Sequence, residues 1–241
     1  MHNLTHRLAA LALIAASASP ATAAERHTVT LADGSEISYA LALPPGFNPE
    51  ASYPALLAIP GGEQTIEGAL SIVERSFEAE AGKRGYIVFG ASTEYNGVRP
   101  MFGPYADDTL LPQFMDALLK LYHIEDGRFY LAGHSAGGET VFRIGVRHPE
   151  MFRSLTSMSS YAGDEDLASL PALKGLPVNM FVGEMDTAYH SGAAQTRDLL
   201  LAAGVDVYFE IVAGAAHSLA PLRAQEGQVF LFDKITGTPG Q

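Results

Sequence analysis

The chain has 241 residues, of which 47% are hydrophobic and 17% are charged, and this composition excludes an intrinsically disordered protein. Its formal charge of −12 argues against a nucleic-acid or an anionic-membrane partner, because both bind basic surfaces. The sequence contains no cysteine, so disulfides, thiolate metal sites and cysteine nucleophiles are excluded together.

The first 24 residues have the pattern of a secretory signal peptide. Arg7 precedes an apolar run over residues 8–16, and the small residues that end at Ala24 offer an A-x-A cleavage site. The run is shorter than the ~20 apolar residues that a membrane-spanning helix needs, so we expect no membrane anchor. We therefore predict that residues 1–24 are removed and that residues 25–241 form one domain, exported to the periplasm or secreted.

The rest of the chain alternates between strand and helix patterns. Two patterned runs at residues 27–32 and 35–43 flank Asp33-Gly34, a dipeptide typical of a β-hairpin turn. The further predicted strands cover residues 55–59, 87–91, 128–132, 155–158, 178–182 and 207–212. The predicted helices cover residues 66–84, 109–121, 138–147, 193–203 and 226–235. Short apolar strands separated by helices indicate an α/β fold, with a mostly parallel, eight-stranded sheet behind an N-terminal antiparallel hairpin and helices on both faces.

A G-x-S-x-G motif, centred on Ser135, lies between the predicted strand at 128–132 and the predicted helix at 138–147. In this setting the motif is typical of a nucleophile elbow, because Gly133 and Gly137 lack a Cβ and let strand and helix approach closely. The Ser135 hydroxyl would then lie beside a helix N-terminus, where N–H groups stabilise negative charge. We predict that Ser135 is a catalytic nucleophile, with a glycine-rich packing turn as the alternative.

A serine nucleophile needs a general base, and His217 is the best placed of the eight histidines. It follows the predicted strand at 207–212, so it should reach the same edge of the sheet as Ser135. His134 lies inside the elbow and is expected to be a structural neighbour of the site.

Asp186 is the predicted acid that orients His217, because it follows the predicted strand at 178–182. Glu184 lies nearer to that strand and is expected to be a solvated carboxylate. The three acids at residues 164–166 follow the strand at 155–158 and remain the alternative.

An oxyanion hole needs two N–H donors. Ala136, directly after the nucleophile, is the first predicted donor. The loop after the strand at 55–59 reads Pro60-Gly-Gly-Glu63, and we predict that Gly62 is the second donor, with Glu63 as the next choice. A plain turn is the alternative for this loop.

Residues 25–237 resemble the α/β-hydrolases, and in particular the secreted esterases of the polyhydroxybutyrate-depolymerase-like and feruloyl-esterase-like kinds. The resemblance rests on the chain order Ser135, Asp186, His217 and on the segments PALLAIPGGEQ, PYADDTLLPQFMDALL, FYLAGHSAGG, PVNMFVGEMD and AGAAH. It implies the α/β-hydrolase fold, a carboxylic-ester substrate, an acyl-serine intermediate and no cofactor. We also expect no metal, because the sequence has no cysteine and no cluster of histidine and carboxylate residues at ligand spacing. Pro60 departs from the family pattern, since such enzymes usually carry a histidine there.

The expected substrate is a small-molecule or oligomeric ester. The loop at residues 92–108 leaves the carboxyl end of a predicted strand and is expected to border the cleft. The residues predicted to contact substrate are Glu63, Tyr95, Arg99, Phe102 and Tyr161. Because two carboxylates, Glu63 and Glu184, flank predicted site residues, we expect neutral or cationic esters to be preferred over anionic ones unless Arg99 pairs with the substrate.

A fold of this kind does not determine one reaction. Peptidase, thioesterase or acyltransferase activity remains an alternative to ester hydrolysis. A non-catalytic binding protein on the same scaffold is a further alternative, which the complete set of serine, aspartate and histidine disfavours. The sequence leaves the oligomeric state open.

Overall fold

The computed structural model describes residues 23–95 and 110–237, with the backbone alone for residues 93–95. The strands are β1 (Glu25–Thr30), β2 (Glu36–Ala42), β3 (Tyr53–Ile59), β4 (Ile87–Tyr95), β5 (Ile124–His134), β6 (Phe152–Met158), β7 (Val178–Gly183) and β8 (Val207–Val212). The α-helices are α1 (Ile66–Ile72), α2 (Glu78–Arg84), α3 (Leu111–Leu121), α4 (Ala136–Arg147), α5 (Thr187–Ala202) and α6 (Gln225–Thr236).

The strands form one eight-stranded sheet in the order β1-β2-β4-β3-β5-β6-β7-β8. β1 pairs antiparallel with β2, and β2 pairs antiparallel with β4. The pairs from β4 through β3 to β8 are all parallel, so β3, β5, β6, β7 and β8 end at the same edge of the sheet. The predicted mostly parallel sheet with an antiparallel hairpin is confirmed.

Successive residues of β5 point into two different apolar layers, as the period of a strand requires. Phe129 and Leu131 pack in the layer that α3, α4 and α5 cover. Tyr130 and Ala132 pack in the layer that α1, α2 and α6 cover. Helices therefore lie on both faces, which explains why the central strands are apolar throughout.

The predicted helix at residues 66–84 is present but is interrupted by a π-helical turn over Val73–Phe77. It ends at Gly85, whose φ of 75° provides the left-handed C-terminal cap. Single-turn π segments insert one extra residue and are frequent at functional sites. This one adjoins the cavity described below.

Several elements are longer than their sequence patterns. β4 extends to Tyr95 because Ile37 of the hairpin pairs with that residue. β5 begins at Ile124, which pairs with Tyr53 of β3. α5 begins at Thr187 instead of residue 193, since the turn at Asp186 leads directly into the helix. Short 3-10 segments that were not predicted cover Pro149–Met151, Leu167–Leu173 and Ala220–Arg223.

The predicted signal peptide lies outside the described residues except for Ala23 and Ala24. Ala24 already packs against the sheet's apolar layer, and its N–H donates to a carboxylate oxygen of Glu78 at 3.2 Å. Of the helices within residues 23–95 and 110–237, none is both long enough and apolar enough to cross a membrane.

Candidate active site

Ser135 occupies the sharp turn between β5 and α4. Its backbone has φ 55° and ψ −122°, a region that costs a residue with a Cβ about 1–3 kcal/mol. A Cβ on Gly133 would lie 2.2 Å from the carbonyl oxygen of Gly137, and a Cβ on Gly137 would lie 2.3 Å from that of Ile59. Both motif glycines are therefore required by backbone packing, and this packing holds the strained serine in place.

His217 and Asp186 form a chain of hydrogen bonds with Ser135. The Ser135 hydroxyl donates to Nε2 of His217 at 2.9 Å, and Nδ1–H of His217 donates to Oδ2 of Asp186 at 2.7 Å. The three residues follow β5, β7 and β8, so the parallel sheet brings them to one edge. Asp186 is only 9% exposed, and a charge-assisted hydrogen bond shielded from water is stronger than an exposed one.

The other candidate acids have different partners. Glu184 is exposed and accepts the N–H of Gly214 at 2.8 Å. Asp164 is exposed, while the two acids after it each bind an arginine of α4 at 2.8 Å. The carboxylate in contact with His217 is therefore that of Asp186. No group of three or more metal-binding side chains is present within the described residues.

Two further rings contact His217. The ring centroid of His134 lies 5.1 Å from that of His217. The ring centroid of Tyr189 lies 4.7 Å from that of His217, and the planes of these two rings are tilted by 37°. Nε2–H of His134 donates to the carbonyl oxygen of His217 at 2.7 Å. Burial is the main cause that lowers the pKa of His134, which favours a neutral imidazole. His134 thus ties the elbow to the backbone of His217, as a structural neighbour of the site would.

Tyr189 was not predicted from the sequence. It lies in the first turn of α5, where its N–H donates to the carbonyl oxygen of Asp186 at 3.0 Å. The signal that could have identified it is its position three residues after the acid, which places it on the same helical turn. Its ring restricts the orientation of the imidazole from a side that Asp186 does not reach.

The proposed oxyanion donors lie at the head of α4 and in the loop after β3. The N–H of Ala136 has no acceptor in the described part of the chain, since it precedes the first intrahelical bonds of α4. Gly61 packs directly on the elbow, because a Cβ there would lie 3.0 Å from the carbonyl oxygen of His134. Gly62, with φ 64°, lines the same cavity as Ser135. The role of Gly62 and Ala136 stays a prediction.

A cavity of about 340 Å³ opens beside Ser135 and His217. One wall is the loop Pro60 to Gly62 with α1 and the π turn. The opposite wall is the segment from Ser218 to Arg223, which continues directly from His217. Sequence reasoning missed this segment, although its closeness to the predicted base was an available signal. The volume lies at the lower end of the ~300–1,000 Å³ typical of small-molecule pockets.

Of the five residues predicted to contact substrate, only Glu63 and Tyr161 have described side chains. Arg99 and Phe102 lie outside the described residues, and the side chain of Tyr95 is not described. Glu63 is exposed beside Gly62, and Tyr161 is 38% exposed with its ring 5.8 Å from that of Tyr189. Neither Glu63 nor Tyr161 lines the cavity. The five contacts therefore stay predictions.

No protein-family model and no curated protein sequence matches the chain. Solved structures do: a thermostable esterase is 19% identical with a TM-score of 0.66, over 88% of this chain and 63% of that one. Dipeptidyl peptidase 4 of Porphyromonas gingivalis is 18% identical with a TM-score of 0.68, over 87% of this chain and 35% of that one. An S954A mutant of the feruloyl esterase module of Clostridium thermocellum, complexed with sinapinate, is 15% identical with a TM-score of 0.67. The match covers 97% of this chain and 95% of that module.

The chain thus spans less than two thirds of the thermostable esterase and about a third of the peptidase, and nearly all of the feruloyl esterase module. At these identities the similarity concerns the fold. Together with the strand order and the helices on both faces, it shows that the chain has the α/β-hydrolase fold.

Proposed function

We propose that this chain is an exported serine hydrolase that cleaves carboxylic esters through an acyl-serine intermediate. The observation that carries the proposal is the hydrogen-bond chain from Ser135 through His217 to Asp186. The strained backbone of Ser135 supports it, because strain of this kind persists where a side chain must be held in a working position. The esterases among the structural neighbours agree with this reaction.

In the first half-reaction, Oγ of Ser135 attacks the ester carbonyl carbon while Nε2 of His217 takes the hydroxyl proton. The tetrahedral intermediate carries its negative charge on the former carbonyl oxygen. The N–H groups of Ala136 and Gly62 are the proposed donors to that oxygen, and a donor of this kind contributes about 10²–10³ in kcat. The carbon–oxygen bond to the alcohol then breaks, and the alcohol leaves with the proton from His217.

In the second half-reaction, water attacks the acyl carbon of acylated Ser135. His217 takes a proton from this water, and the same donors stabilise the second oxyanion. Collapse of the intermediate releases the carboxylic acid and returns the proton to Oγ of Ser135. Asp186 holds Nδ1–H of His217 throughout, so that Nε2 remains the atom that accepts and returns the proton.

The purified chain without residues 1–24 should hydrolyse p-nitrophenyl esters of short acyl chains and should be labelled once by a fluorophosphonate. The measurement is a panel of p-nitrophenyl esters of graded length with feruloyl and acetyl-sugar esters, peptide p-nitroanilides and acyl thioesters. We expect esters to have the highest kcat/KM. Hydrolysis of the anilides alone would identify a peptidase instead, and absence of both labelling and turnover would support a binding protein.

The proposal includes removal of the N-terminal signal peptide. Removal of residues 1–24 would make Glu25, the first residue of β1, the new N-terminus. The full-length chain expressed in a Gram-negative host should appear in the periplasm or medium, with Glu25 as its first residue by mass spectrometry. Retention of residues 1–24 in the exported protein, or its absence from both fractions, would contradict this part of the proposal.

A further inference from the structure

A positively charged side chain lines the cavity beside Ser135. Arg223 lies in the 3-10 segment Ala220–Arg223, on the wall that follows His217. The guanidinium of Arg223 is partly buried. Its charge acts on His134 in the elbow: burial is the main cause that lowers the pKa of His134, and the charge of Arg223 lowers it further. Arginine stays protonated at all ordinary pH values, so the cavity next to the nucleophile carries a permanent cation.

This cation has no acidic partner among the residues that the structure describes. No described Asp or Glu lines the cavity, and Arg223 forms no ion pair with any described carboxylate. Partial burial is the main cause that lowers the pKa of Arg223, and the positive charge of Arg75 lowers it further. A partly buried cation is normally paired, so Arg223, without a described carboxylate, leaves a site for an anion.

The two arginines are held together by the fold. Nε2 of Gln228 in α6 donates to the carbonyl oxygen of Arg75 at 2.9 Å and to that of Arg223 at 3.0 Å. Arg75 belongs to the π turn, so one amide joins the two walls of the cavity. Two hydroxyl groups on the same wall, those of Ser71 and Ser76, line the cavity and have no hydrogen-bond partner within the described residues.

We infer that the cavity binds an anionic group of the substrate, a carboxylate a few atoms from the ester carbonyl, with Arg223 as the residue that selects it. This inference rests on the proposed ester hydrolysis. A guanidinium binds a carboxylate through two parallel N–H donors. The hydroxyls of Ser71 and Ser76 are further possible donors in the same cavity. The carboxylate belongs either to the acyl part or to the alcohol part of the ester, and both place it in the same cavity.

This inference reverses the charge preference expected from the sequence. That expectation used Glu63 and Glu184, but neither lines the cavity, and Glu184 is engaged with the N–H of Gly214. The net charge of −12 acts at long range and is screened within about 10 Å at 0.1 M salt. Arg223 lines the cavity itself, so we expect its charge to outweigh the screened net charge of the protein.

Two pairs of isosteric esters test the inference. In the acyl pair, ethyl 4-carboxybutanoate is compared with ethyl 4-carbamoylbutanoate, and in the alcohol pair, 4-acetoxybutanoate with 4-acetoxybutanamide. We expect the carboxylate member of one pair to have a kcat/KM at least about tenfold above its amide, and Arg223→Gln to abolish that ratio. Because both esters are assayed on one preparation, partial unfolding of the variant cancels in the ratio.

The matched control is Arg197→Gln, which removes the same charge from the surface of α5, where Arg197 pairs with Asp198. It should keep the wild-type ratio, and Arg223→Lys should keep part of it. A ratio near one in both pairs, or an equal change in the Arg197 and Arg223 variants, would overturn the inference while esters are still cleaved. If no ester is cleaved, the proposed function fails, and calorimetry tests the anion site by itself: glutarate should bind at least about tenfold tighter than glutaramide, its neutral diamide, in wild type, and about equally in Arg223→Gln.

Discussion

Replacing Ser135 with alanine should lower kcat for every ester substrate by at least about four orders of magnitude and abolish fluorophosphonate labelling. The reason is that the hydroxyl in contact with Nε2 of His217 is the only group at the elbow that can form the acyl intermediate. KM should change little, because the cavity walls are untouched. The fold should persist, since alanine keeps the Cβ that the backbone already accommodates at φ 55°.

The control for this variant is Ser157→Ala. Ser157 is a buried serine next to the elbow, and its hydroxyl has no hydrogen-bond partner among the described residues. The Ser157→Ala variant should retain both fluorophosphonate labelling and ester turnover.

A third variant, Ser135→Gly, separates the effect of backbone strain on stability from the loss of the nucleophile. It should be as inactive as Ser135→Ala but have a higher Tm, because glycine adopts the backbone conformation of residue 135 without cost. Labelling of Ser135→Ala at the wild-type rate would show that the nucleophile lies elsewhere.

The parts of this molecule that were predictable from sequence are those with a local signal. Each central strand is a short apolar run, and Gly85 marks the end of the helical region before β4. The G-x-S-x-G motif is informative because the turn itself requires its glycines. The carbonyl oxygens of Gly137 and Ile59 lie where a Cβ on Gly133 or Gly137 would be. His217 and Asp186 were predictable because parallel strands bring their carboxyl ends to one edge, whatever the sequence between them.

The cavity was not predictable, because its walls meet only through tertiary packing. Arg75 and Arg223 are joined by Gln228, a residue that carries no local signal for either partner. The π turn that carries Arg75 was not predicted, since the one-residue shift that it introduces into the apolar pattern lies between two helical segments of only seven residues each. Three of the five predicted contacts lie in the long predicted loop before α3, where aromatic residues are frequent in the sequence, and these contacts stay predictions.

Replacing Asp186 with asparagine should lower kcat by about 10³–10⁴-fold with little loss of stability. The carboxylate accepts Nδ1–H of His217 and so keeps Nε2 unprotonated toward Ser135. An asparagine amide can turn its NH₂ toward Nδ1, which favours the other tautomer, with the proton on Nε2. That imidazole cannot take the proton of Ser135, and the missing carboxylate no longer stabilises the imidazolium formed in the transition state.

The fold should tolerate this change, because the side chain of Asp186 does not cap α5 and its backbone bonds are those of any residue in the turn. Asp164→Asn is the matched control: it removes an exposed carboxylate of the alternative set and should leave kcat/KM within about twofold of wild type. Steady-state kinetics on one short-chain ester, with Tm for each variant, measure both effects. A large loss in Asp164→Asn together with an active Asp186→Asn would move the acid to the segment after β6, and the hydrogen bond to His217 would then be structural.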